Sequence, residues 1–201
     1  MSTAAVESLI TTILQDWSTA ELAALASSQL GGLSTTALNG FSETQLGSLS
    51  TTQLRGLTGA QLNGLSTSLS SVLPIAGLSA TQISGLDAAK VEELTATRSG
   101  DFSATQIGAI SPTAIAGLTT TVLSSLASSQ VAALTPFQVA ALSVTSFTAL
   151  TSTTGIPSLS TTSLAGMSID KIEALSPEQV AAFSSTQTAA LQPAQLFALL
   201  T

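Results

Sequence analysis

The chain has 201 residues, of which only 7% are charged and 3% aromatic; it has no Cys, His or Tyr, and eleven acids against four bases leave a net charge of −7. Without thiol or imidazole there is no Cys or His nucleophile or base, no thiolate or imidazole metal site and no disulfide framework, so no cofactor or catalytic centre is expected. Four scattered bases cannot neutralise a phosphate backbone, which sets nucleic acid aside as a partner, and no apolar run approaches the ~20 residues of a membrane span.

The start, "MSTAAVESLITTILQDW", lacks a basic segment and carries Glu7 and Asp16, so it does not read as a cleavable secretory signal. From the first residue an eight-residue word repeats. With a large apolar residue as position 1, Met1, Leu9, Trp17, Leu25, Leu33, Phe41, Leu49, Leu57 and Leu65 follow in steps of eight. The frame slips near 73–78, resumes at Leu78 and runs through Phe102, Ile110 and Leu118 to Leu150, then slips again at 150–159 and ends with Leu159, Met167, Leu175, Phe183, Leu191 and Leu199. The whole of 1–201 reads as a single repeat domain.

Within the words, position 2 is nearly always Ser or Thr, with Asp87 as an equivalent variant, and position 5 is often Gln, as in Ser50 with Gln53, Thr58 with Gln61 and Ser176 with Gln179. This is the capping box: the hydroxyl accepts from the amide three residues on, and the Gln reaches back to the cap amide. Each word therefore predicts a helix start. Pro112, Pro136, Pro177 and Pro193 all stand at position 3, the first helical residue, where proline is tolerated. Position 6 is apolar and, lying three residues before the next position 1, shares its face. Position 8 is small, which lets backbones approach and the chain turn.

The expected fold is all-α: a solenoid of very short capped helices, one per eight-residue repeat, with three words per coil. One long helix is unsuitable, because an eight-residue repeat drifts about 80° around a helix each time and leaves no stripe. A β-solenoid is the alternative, favoured by the abundant Thr but opposed by the odd step between positions 1 and 6.

The densest charge lies in 87–101, where Asp87, Lys90, Glu92, Glu93, Arg98 and Asp101 read as a solvated helix face with a small loop at "TRSGD". No spacing resembles a calcium loop. Asp170, Lys171, Glu173 and Glu178 read as a second solubilising cluster, and Trp17 and Phe41, Phe102 and Phe183 as core.

The words "LSTTQLRGL" (49–57), "LTPFQVAAL" (134–142) and "LSPEQVAAF" (175–183) resemble the octapeptide repeats of large bacterial surface exoproteins labelled as involved in haem utilisation or adhesion. The resemblance implies a structural or adhesive role and an extracellular or cell-surface location. Its haem half finds no ligand here beyond Met1 and Met167, both at inward position 1.

The expected function is structural: end-to-end self-assembly into a filament through apolar coil edges at Val6, Leu9 and Leu14 and at Leu191, Leu196, Leu199 and Leu200, with the chain itself as partner. An adhesin or stalk meeting other cell-surface components, with ice binding as a remote variant, is the alternative.

Overall fold

The computed structural model describes residues 12–201, which divide into two compact units, 12–86 and 87–201. The described residues are 66% helix and contain no strand, so the fold is a solenoid of short helices and not a β-solenoid. Most helices have four to six residues, for example Thr51–Leu54, Gly59–Asn63 and Pro177–Ala181. Isolated segments this short barely repay helix nucleation; two devices make them stable.

The first is local. Ser50 sits extended (φ −66°, ψ 157°), its hydroxyl accepts from the Gln53 amide at 3.3 Å, and its own amide donates to Gln53 Oε1 at 3.0 Å. The same reciprocal pair forms at Thr58 and Gln61 and at Ser176 and Gln179. Where Ala26 and Ala127 replace the hydroxyl residue, the Gln half alone persists, the cap amides donating to Gln29 and Gln130. Each cap contributes about 1 kcal/mol.

The second is the stacking of coils. Leu22, Leu30, Leu38 and Leu46 at position 6 are all 0% exposed, each worth roughly 1.5–3 kcal/mol on burial. Phe41 and Phe102 lie in this core, whereas Trp17 and Phe183, expected there, are only half-buried. No described residue has positive φ, so the small residues at position 8 are not needed for left-handed turns. They serve close approach: a Cβ on Gly56 would overlap the Ser27 carbonyl, and one on Gly166 the Pro136 carbonyl.

Three places break the one-helix-per-word rule. At the first slip, Leu73 opens a truncated word whose 3-10 turn, Ile75–Gly77, still buries Leu73 and Ile75 to 1% exposure each. At the second, Thr151 caps an extra turn in which the amides of Gly155 and Ile156 both donate to its carbonyl, and the 3-10 turn Ile156–Ser158 puts Ile156 inward. In the charged stretch, two words fuse into one helix, Ala88–Arg98, followed by a 3-10 turn over Ser99–Asp101. The expected loop at "TRSGD" is thus helix end and turn. The cause is local: Thr95, which should cap, donates its hydroxyl to the Val91 carbonyl at 2.7 Å, and position 5 of that word is Arg98, not Gln. With the box lost, the helix runs on.

Candidate functional site

The most distinctive chemistry of the chain is a ladder of side-chain amides between coils. At position 5, Gln45, Gln53, Gln61, Gln82, Gln130, Gln138, Gln179, Gln187 and Gln195 use Oε1 for their own caps and turn Nε2 toward the coil below. Gln53 Nε2 donates to the carbonyls of Leu22 and Leu25 at 2.7 and 3.0 Å, and Gln61 Nε2 to those of Leu30 and Leu33 at 2.9 and 2.7 Å. In the second unit, Gln138 Nε2 donates to Ile107 and Ile110, Gln187 to Ile156 and Leu159, and Gln195 to Leu164 and Met167. These partners lie 31 and 28 residues earlier. A separation of 28 is three words plus the step from position 1 to position 5, so a coil holds three words.

One Gln therefore satisfies three buried backbone groups: a cap amide above and two carbonyls below. Buried backbone polar groups left unpaired are costly, which explains why Gln138 is only 1% exposed and Gln187 3%. The capping pattern was legible in the sequence, but this second use of the amide was not. Where the first slip shortens a coil, Gln82 Nε2 still reaches Leu54 and Leu57, at separations of 28 and 25, so the truncated word preserves the ladder by omitting one turn.

The charged residues follow the same register. Lys171, assigned from sequence to a solubilising cluster, is 5% exposed and stands at position 5, where its Nζ donates 3.1 Å to the Ala140 carbonyl, 31 residues earlier. It takes the place of a Gln. Burial lowers its pKa below the ordinary lysine value, with the nearby Asp170 opposing that shift. Its companions Asp170, Glu173 and Glu178 are solvent-exposed as expected.

In the fused helix Lys90 also occupies position 5 and is buried, pairing with Glu93 at 2.6 Å, while Arg98 pairs with Asp101 at 2.7 Å. The face is only partly the solvated surface expected: Glu92 and Asp101 are exposed, Lys90 is not. In the first unit Glu21 stands at position 5. Hydrogen bonds from the Ser18 side chain and amide lower its pKa, but a carboxylate has no proton to donate to a coil below.

Of the residues expected at assembly edges, Val6 and Leu9 lie outside the described residues. Leu14 is buried at 5% exposure, its carbonyl accepting from Gln45, so it is core and not edge. At the other edge Leu191 and Leu199 are each 8% exposed, Leu196 is half-buried, and Leu200 is 73% exposed. Here position 6 changes character: Val180, Thr188 and Leu196 are half-buried, whereas Ile107, Ile115, Val131, Val139 and Leu164 are 0% exposed. A groove of about 690 Å³ opens on this coil, lined by Ile172, Glu173, Leu175, Val180, Leu199 and Leu200. The carbonyls of Leu175, Phe183 and Leu191, in the register that elsewhere receives a Gln, have no side-chain donor.

No family model matches the chain, and comparison with curated proteins finds no match. Among the described residues no group of three or more acids could hold a metal ion, and no helix is long and apolar enough to cross a membrane.

Proposed function

We propose that this chain is a structural repeat protein that assembles end to end, a further coil of the same word docking on the face formed by the words at 175, 183 and 191. The observation that carries this reading is the half-exposed position 6 on that face, Val180, Thr188 and Leu196, beside the groove lined by Leu199 and Leu200. A heterologous contact of this kind does not close on itself and propagates into filaments. An extracellular or cell-surface setting accords with the octapeptide resemblance and with a composition free of Cys.

Sedimentation velocity over a concentration series, followed by electron microscopy, tests the proposal. Concentration-dependent growth into fibres is expected, and Leu196→Glu with Leu200→Glu abolishes it while leaving the circular dichroism spectrum intact. A monodisperse monomer at high concentration sinks the reading. The stalk or adhesin alternative has one observation in its favour, Phe137, which is 77% exposed on the helix Pro136–Ala141. Single exposed apolar side chains are common on protein surfaces, so the groove is the stronger signal.

A further inference from the structure

Asn39 and Asn63 are the only asparagines in the chain; each stands at position 7 of its word, each is followed by glycine, and they are 24 residues apart, one coil. Both are coil-to-coil staples running opposite to the glutamines. Asn39 Nδ2 donates to the Gly64 carbonyl at 2.8 Å, and its Oδ1 accepts from the Ser66 amide at 2.8 Å; Asn63 Nδ2 donates to the Gly85 carbonyl at 3.0 Å.

We propose that Asn39–Gly40 and Asn63–Gly64 are hydrolytic modification sites that coil stacking keeps closed. The chemistry needs only water and base. The glycine amide nitrogen loses its proton and attacks Asn Cγ; the N–Cγ bond forms, the Cγ–Nδ2 bond breaks, and ammonia leaves with the proton it requires, giving a five-membered imide. Water then opens either imide carbonyl to leave aspartate or isoaspartate. Glycine favours the attack because it has no Cβ to crowd the ring.

In the stacked protein both ends of this step are tied. The Gly40 amide donates to the Thr36 and Ala37 carbonyls at 3.2 and 3.1 Å, and the Gly64 amide to the Ala60 carbonyl at 3.1 Å, so neither nucleophile is free. The leaving nitrogen at each site is held by the next coil. The site is nonetheless within reach of water, since Asn39 is exposed. Conversion turns a donor into a carboxylate facing a carbonyl, so the staple becomes a repulsion. The two sites are also linked: Asn39 holds the carbonyl of Gly64, the residue whose amide is the nucleophile at Asn63. Loss of the first staple loosens the guard on the second.

Peptide mapping by mass spectrometry, with an isoaspartate-specific assay, tests this on the intact chain incubated at one pH and temperature, folded and in urea. The unfolded chain is expected to convert at both asparagines, and the folded chain about tenfold more slowly or slower still, because reaction waits on local opening. Equal rates in the two states, or no conversion in urea, overturn the proposal. Asn39→Asp is expected to lower the thermal midpoint and to speed conversion at Asn63; an unchanged midpoint and rate overturn the link between the sites.

Discussion

Glutamine at position 5 has a geometry that no other side chain in this sequence reproduces in full: one amide oxygen for the cap amide, two N–H donors for two carbonyls of the coil below. Gln138→Leu keeps the volume and strips all three contacts, leaving the Thr135 amide and the Ile110 carbonyl unpaired and the Ile107 carbonyl with the Ile110 amide alone. The expected loss is about 2–4 kcal/mol, from a desolvation penalty of about 1–3 kcal/mol per orphaned group, measured by urea denaturation. Lys171 is the imperfect substitute, reaching one carbonyl with a charge that burial disfavours. Because its folded pKa lies below the ordinary 10.5, the unfolded chain holds its proton longer as pH rises. Stability is therefore expected to increase as pH climbs from that lowered value toward 10.5. Lys171→Gln is expected to raise stability at neutral pH and to flatten this rise, seen as thermal midpoints across the alkaline range.

At the scale of the helix, a word needs its cap to begin and a small residue to let its neighbour come near. Where the cap is misdirected, as at Thr95, two words fuse, and where the step between successive apolar anchors is five or nine instead of eight, as at the two slips, a 3-10 turn absorbs the change. Gly56 and Gly100 form a matched pair for testing close approach, since a Cβ at Gly56 would overlap the Ser27 backbone whereas one at Gly100 meets nothing within 4 Å. Gly56→Ala is expected to cost about 1–3 kcal/mol, as overpacking against backbone does, and Gly100→Ala to be near neutral. Chemical denaturation of the two variants side by side checks this.

At the scale of the molecule, the glutamines bond coil to coil inside each unit, so stability within a unit is a sum of repeated coil terms and nearest-neighbour interfaces. The ladder makes the three-word coil, not the single word, the unit that can be removed. Deleting 118–141, three words, is expected to leave a helical protein that unfolds cooperatively, because every remaining Gln keeps its register. Deleting 118–125, one word, moves Gln130 and Gln138 off their carbonyls by a third of a coil and is expected to give a broad, weakly cooperative melt by circular dichroism. Equal behaviour of the two deletions is the opposing result.

The sequence by itself determined what is local. Ser50, Thr58 and Ser176 with their glutamines, the prolines at position 3 and the step of eight specify where each short helix starts and which face is apolar, because caps and periodicity act within one turn of the chain. Only the tertiary structure decided what spans a coil. The destination of Nε2 lies 28 and 31 residues away, so nothing near Gln138 in sequence points to Ile107, and nothing near Lys171 marks it as a rung of the ladder instead of a surface charge. The partners of Asn39 and Asn63 likewise stand on the next coil, 22 to 27 residues away. A hydrogen bond to a backbone carbonyl carries no signature in the identity of the residue that accepts it, so the ladder becomes visible only when the coils are stacked.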